Sequence, residues 1–133
     1  MKYIGKYGEQ RVLASMLAAG IETYPAIRDN QTDYDLTAIL SPQRVVRLQV
    51  KTTELRNSST NNAIDIGRVD FDFLVIVVVD DSTRFFVLTR DEVLEVKKTR
   101  KRLSVTRVEN GEPSVREEIS IHEDRWDKFE RTT

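Results

Sequence analysis

At 133 residues the chain is long enough to bury a core, and it is read as one domain over residues 1–133. It is 39% hydrophobic and 32% charged, with a net charge of −1, which disfavours a protein that coats nucleic acid indiscriminately. No cysteine is present, so disulfides and thiolate metal sites are excluded and a reducing, cytoplasmic setting is expected. MKYIGKYGEQR contains no apolar signal core, and the longest apolar run, 73–79, is too short to span a bilayer.

In chain order, residues 5–19 predict a helix with Val12, Leu13, Met16 and Leu17 as its apolar stripe and Gly20 as its stop. Glu9 stands near its start, where a carboxylate complements the helix dipole. Strands are predicted over 35–40 and 44–52, joined by the turn Ser41-Pro42-Gln43. Residues 57–62 are polar and read as a loop, with a further loop or short helix before the next strand. Phe73 to Val79 is continuously apolar and β-branched, the pattern of a central strand covered on both faces. Residues 85–88 form the next strand, and Thr89 with Glu92 makes a capping box that opens a second helix. Residues 103–108 and 115–121 are expected to pair around Asn110-Gly111, and a final amphipathic turn carries Trp126 and Phe129 as core anchors. His122, the one histidine, is expected at a helix cap or on the surface. The fold class is therefore α/β (α+β): a mixed central β-sheet flanked by helices, with an appended C-terminal β-hairpin and short helix.

The two strands over 35–52 carry the chemistry. With Leu40 opposite Arg44 across a three-residue loop, Leu36 faces Leu48, Ala38 faces Val46 and Asp35 faces Gln49. Alternation then sends Leu36, Ala38, Val46, Leu48 and Val50 to an apolar face. The other face receives Asp33, Asp35, Thr37, Arg47, Gln49 and Lys51, and Asp35, Gln49 and Lys51 converge at the open end of the hairpin. One reading is an exposed cross-strand ion pair between Asp33 or Asp35 and Lys51. The other is a hard-cation site for Mg²⁺ or Mn²⁺, with Asp35 and the Val50 carbonyl as ligands, Gln49 as a neutral amide ligand and Glu9 as a second acid. Lys51 would then orient an attacking water or stabilise phosphoryl oxygens.

KYGEQRVLASMLAAGIETYPAIRDNQTDYDLTAI followed by VVRLQVKTTE resembles the PD-(D/E)XK nuclease superfamily, most of all its small stand-alone members with a core like the Holliday-junction resolvases. Gly-x-x-Gly-Glu opens the helix, Tyr-Asp-Leu starts one strand and Gln-Val-Lys-Thr ends the next. The resemblance covers residues 5–54, extends more loosely through DFDFLVIVVVDD and FFVLTRDEV, and leaves the last thirty or so residues uncovered. It implies a restriction-endonuclease-like core and a Mg²⁺- or Mn²⁺-dependent DNA endonuclease. Asp35 stands at the motif aspartate, Gln49 at the acid of the Asp/Glu-x-Lys triplet, Lys51 at the lysine and Glu9 at the first-helix glutamate. Tyr34 replaces the motif proline, and Gln49 replaces an acid, which bears on metal affinity. Asp33 is a further acid beside the ligand. The resemblance implies duplex or branched DNA as partner and admits a homodimer.

Residues 97–107, KKTRKRLSVTR, contain no acid and read either as a solvated face or as a phosphate-contacting patch. In the second reading Lys97, Lys98, Arg100, Lys101, Arg102 and, beside the hairpin site, Arg47 contact nucleic acid. The alternative function is a catalytically inactive module of the same fold that binds nucleic acid or protein. An unrelated α/β domain would leave Asp35, Gln49, Lys51 and Glu9 dispersed.

Overall fold

A computed structural model describes residues 1–26, 34–56 and 62–130. In order these form α1 (Ile4–Ala18), β1 (Glu22–Pro25), β2 (Leu36–Ser41), β3 (Arg44–Glu54), β4 (Ala63–Asp65), β5 (Phe73–Val79) and β6 (Thr83–Thr89). There follow α2 (Arg90–Lys97), β7 (Arg102–Ser104), β8 (Thr106–Glu109), β9 (Glu112–Val115), α3 (Glu117–Ser120) and a 3-10 helix, Trp126–Phe129. The main sheet has the order β1-β2-β3-β5-β6, with β3 and β5 parallel and its other pairs antiparallel. This is the mixed central sheet flanked by helices that the sequence predicts, with the β8–β9 hairpin and a short helix appended. Among the described residues no helix is long and apolar enough to cross a membrane.

β5 is the keel of the sheet. Phe73, Val75 and Val77 face α1 and the C-terminal 3-10 helix, joining Val12, Met16, Leu48, Val50 and Phe129. Leu74, Ile76 and Val78 face α2, joining Phe86, Leu88, Val93, Leu103 and Ile119. Each such side chain contributes roughly 1.5–3 kcal/mol by leaving water, so a strand buried on both faces reads as an unbroken apolar run. The Thr89–Glu92 capping box forms as expected, with Glu92 N donating to Thr89 Oγ1 at 3.2 Å and Thr89 N donating to Glu92 Oε1 at 2.8 Å. Trp126 and Phe129 anchor the C-terminus against Phe85 and Phe73.

Several expectations are corrected. Ser41, not Leu40, lies opposite Arg44, because a β-bulge absorbs Leu40 and leaves a two-residue turn at Pro42-Gln43. Leu40 still packs against the core, so the bulge adjusts the turn without moving the face. Leu17 is 52% exposed, and the buried stripe of α1 is Gly8, Val12 and Met16. The region before β5 holds a short strand, β4, which pairs with β7. β1 was not anticipated either; it is four residues long and ends in Pro25. The Asn110-Gly111 turn forms with both φ angles positive, at 53° and 78°. The hairpin is shorter than expected and its second strand lies earlier: β9 is Glu112–Val115, residues 117–120 of the expected strand form α3, and β7 belongs to another sheet. His122 is neither a cap nor a surface residue but 6% exposed. Asp33 and residues 57–61 of the predicted loop lie outside the described residues, while Asn62 is buried.

Candidate functional site

β2 and β3 pair with Leu36 opposite Leu48 and Ala38 opposite Val46, so Asp35 arrives just before the first rung, across from Gln49. Its backbone N donates to Leu48 O at 2.8 Å, continuing the ladder by one bond. Its carboxylate turns onto β3, where Oδ2 accepts from Gln49 Nε2 at 2.7 Å and from Val50 N at 2.8 Å. Because the N–H and C=O of one strand residue point the same way, the Val50 carbonyl also faces the Asp35 side of the strand. The Val50 side chain is in the core, so the residue offers this site only its backbone.

Glu9 comes from the other direction. α1 packs on β3 so closely that a Cβ on Gly8 would fall 1.8 Å from Thr52 Oγ1, so glycine is required at this seam. Thr52 Oγ1 is itself buried without a hydrogen-bond partner, a cost accepted at the contact. Glu9 follows Gly8, beyond the first helical turn, too far along to act as the dipole complement it resembles in sequence. It is half-buried and lies in the field of Asp35. Burial, with Asp35 adding to it, raises the proton affinity of Glu9. Burial likewise raises that of Asp35, against the opposing pull of the Val50 N–H, Lys51 and Lys6.

The four residues chosen from sequence are thus brought together. Asp35 hydrogen-bonds Gln49 and Val50, lies in the field of Lys51, and itself acts on Glu9 through space. Asp35 and Lys51 form no ion pair, so the surface salt-bridge reading fails for Asp35, and its Asp33 alternative lies outside the described residues. The oxygens offered are those of two carboxylates, one amide and one backbone carbonyl, a hard donor set that suits Mg²⁺ or Mn²⁺ retaining several waters. Among the described residues no three His, Cys, Asp or Glu side chains gather to hold a metal, so the set has only two charged ligands. Gln49 directs its amide nitrogen to Asp35, which leaves its oxygen on the far side of the amide.

Arg47 lies beside the cluster on the same strand. It is exposed, and its guanidinium lies 5.7 Å from the centre of the Tyr34 ring. Its backbone is clamped by Asp72, which accepts from Arg47 N and donates its own N–H to Arg47 O, both at 2.8 Å. The basic run occupies the end of α2 and β7. Lys97 Nζ donates to Arg100 O, Arg100 donates to the carbonyls of Val96 and Lys97, and Arg102 pairs with Asp65 at 3.2 Å. Lys98, at φ 55°, turns the chain out of α2, and Lys98 and Lys101 are exposed. These partners are local and do not join the run to Asp35.

A second polar cluster escaped the sequence reading. Lys128, 3% exposed, donates to Val87 O, Glu92 Oε1 and His122 Nδ1 at 2.7–2.8 Å, which uses all three ammonium protons. An ammonium can only donate, so Nδ1 accepts and the imidazole proton sits on Nε2. Burial and the facing Lys128 lower the proton affinity of His122. In sequence the only hint is a lysine between two aromatic anchors, on a turn that otherwise must bury its face.

No family model matches the sequence, and no curated protein matches it. Among solved structures the fold is similar to that of the bacterial homing endonuclease I-Ssp6803I, with a TM-score of 0.68 and 19% identity, over 96% of this chain and 89% of that one. At that identity the likeness establishes a shared fold.

Proposed function

We propose that the chain is a single metal-dependent DNA endonuclease domain of the PD-(D/E)XK type. The observation that carries this reading is the Asp35 carboxylate, fixed by Gln49 and Val50 N with Glu9 and Lys51 in its field. Two half-buried acids, both raised by burial and one of them further raised by the other, fit a place where a cation is to be held. The shared fold with a homing endonuclease supports the same reading.

Asp35 and Glu9 would hold Mg²⁺ or Mn²⁺, with the Val50 carbonyl and the Gln49 amide oxygen as neutral ligands. Such an ion, when bound, polarises a phosphoryl oxygen and lowers the pKa of a coordinated water. The Val50 N–H keeps the Asp35 carboxylate in one orientation, while the Gln49 amide would give up its bond to Asp35 and turn its oxygen toward the ion. Lys51 places an ammonium beside Asp35, where it orients the attacking water or takes charge that builds on the phosphoryl oxygens. Water would add to phosphorus and give one proton to solvent, the bond to one ester oxygen would break, and that oxygen would leave with a proton from solvent. Arg47 and the basic run at 97–102 would contact flanking phosphates, an electrostatic and sequence-independent role.

The neutral Gln49 favours a second reading, a module of the same fold that binds DNA without cutting it. A cleavage panel over branched, duplex and single-stranded DNA with Mg²⁺ or Mn²⁺ separates the two. The nuclease reading expects cutting that Lys51→Ala abolishes while the protein stays folded, and Mn²⁺ binding that Asp35→Ala removes. Cutting undiminished in Lys51→Ala overturns the site assignment. DNA binding with neither cutting nor metal affinity selects the inactive module.

A further inference from the structure

Lys6 precedes Glu9 by three residues on α1, so the two side chains share a flank of the helix. Gly8 lies between them in sequence, and its contact with Thr52 fixes this turn of the helix against β3. Glu9 turns inward and is half-buried, whereas Lys6 is exposed. Among the described residues the Lys6 ammonium makes no hydrogen bond or ion pair, so it is free to meet a ligand. Its charge nevertheless falls on both acids, opposing the burial that raises Glu9 and Asp35. Lys51 acts on Asp35 from the strand. Gly8 seats this turn of α1 on Thr52, the residue after Lys51, so one ammonium comes to the acids from α1 and another from β3.

Charge accounting shows what the second ammonium is for. Two carboxylates and two ammoniums sum to zero, and a divalent cation brings the site to two positive charges. A phosphodiester enters with one negative charge and would gain a second once the adding water has given a proton to solvent, which leaves the whole neutral. With Lys51 alone the same state would carry an unbalanced negative charge in a partly desolvated site, where it is costly.

We propose that Lys6 is a second phosphate-contacting cation of this site, its ammonium taking a non-bridging oxygen of the phosphodiester from the helix side while Lys51 serves from the strand. The inference rests on the nuclease reading. A lysine suits the role, being a compact charge with three donors on a flexible stem.

The test uses a fluorescently labelled DNA duplex with the wild type, Lys6→Ala and Lys6→Arg. Anisotropy is measured across a salt series without divalent cation, and single-turnover cleavage is measured with Mn²⁺. Lys6→Ala is expected to reduce the slope of log affinity against log salt by about 0.9, the value of one phosphate contact. It is also expected to slow cleavage roughly 10- to 100-fold, on the scale of one lost electrostatic contact. Lys6→Arg should restore the salt slope. An unchanged slope and rate in Lys6→Ala overturns the role of Lys6 and leaves the nuclease reading standing. Binding without cutting in the wild type overturns the nuclease reading, and the salt slope then still decides whether Lys6 contacts phosphate. A wild type that does not bind DNA overturns both.

Discussion

Glu92, at the start of α2, and Asp35, at the start of β2, are both half-buried carboxylates that accept a backbone N–H, yet their proton affinities move in opposite directions. Burial acts to raise Glu92, but the hydrogen bond from Lys128, the Thr89 N–H and the nearby charges bring it below the ordinary value. Burial raises Asp35, and what surrounds it does not bring it back. The reason is the partner set. Glu92 has an ammonium 2.7 Å away that donates to it directly, and every proton of that ammonium is used. Asp35 has a neutral amide, a backbone N–H, and two lysines that act only through space. One cluster satisfies itself and fastens the 3-10 helix to β6; the other holds carboxylates that no ammonium among the described residues touches. Lys128 carries the counterpart of this arrangement: at 2% side-chain exposure against 31% for Glu92, burial lowers its proton affinity by more than Glu92 returns.

The strongest way to break the comparison is at Lys128. Lys128→Ala takes the ammonium from Glu92, which keeps only its bond from Thr89 N, and leaves the Val87 carbonyl and His122 Nδ1 without that donor. It should cost about 3 kcal/mol. Urea denaturation measures it. A loss below about 1 kcal/mol, the size of an ordinary substitution, would place the network outside the structural core.

Gln49→Glu should sharpen the contrast from the other side. It sets a second carboxylate 2.7 Å from Asp35 Oδ2 in place of a donor, at a position only 9% exposed. The variant should melt lower than the wild type in chelator, while its affinity for Mn²⁺ rises about tenfold or more, equal to about 1.4 kcal/mol. Titration calorimetry reads the affinity, and an affinity that fell would remove Gln49 from the ligand set.

The smallest expected effect is the pH response of Asp35→Asn. A carboxyl whose folded pKa lies above its unfolded one binds its proton more readily in the native state, so stability falls as pH rises through that interval. The asparagine keeps an oxygen for Gln49 Nε2 and Val50 N but carries no charge. Its melting temperature should exceed that of the wild type by a few degrees at neutral pH without metal, and the gain should vanish as pH falls below the ordinary aspartate range. A gain independent of pH would mean that the Asp35 charge is not its source.

Elements whose signal is local are legible in the chain of residues alone. Phe73 to Val79 has nothing but apolar residues and is buried on both faces; Thr89 and Glu92 close on each other across one turn of backbone. The match of Leu36 and Ala38 with Leu48 and Val46 was legible because a one-residue slip would turn the whole apolar set to solvent. That register alone delivers Asp35 to Gln49. The rest depends on contacts between distant parts of the chain. β1 and β4 carry few residues and little pattern of their own, and they are strands because β2 and β7 offer them edges. Glu9 becomes a neighbour of Asp35 because Gly8 lets α1 settle onto Thr52, a contact across more than forty residues of chain. Lys6 and Lys51 act on one acid although they lie on separate elements, and Lys128 is buried because Glu92, Val87 and His122 meet its three protons. A charge shows in the sequence as a letter, but whether it is compensated depends on distances that only packing sets.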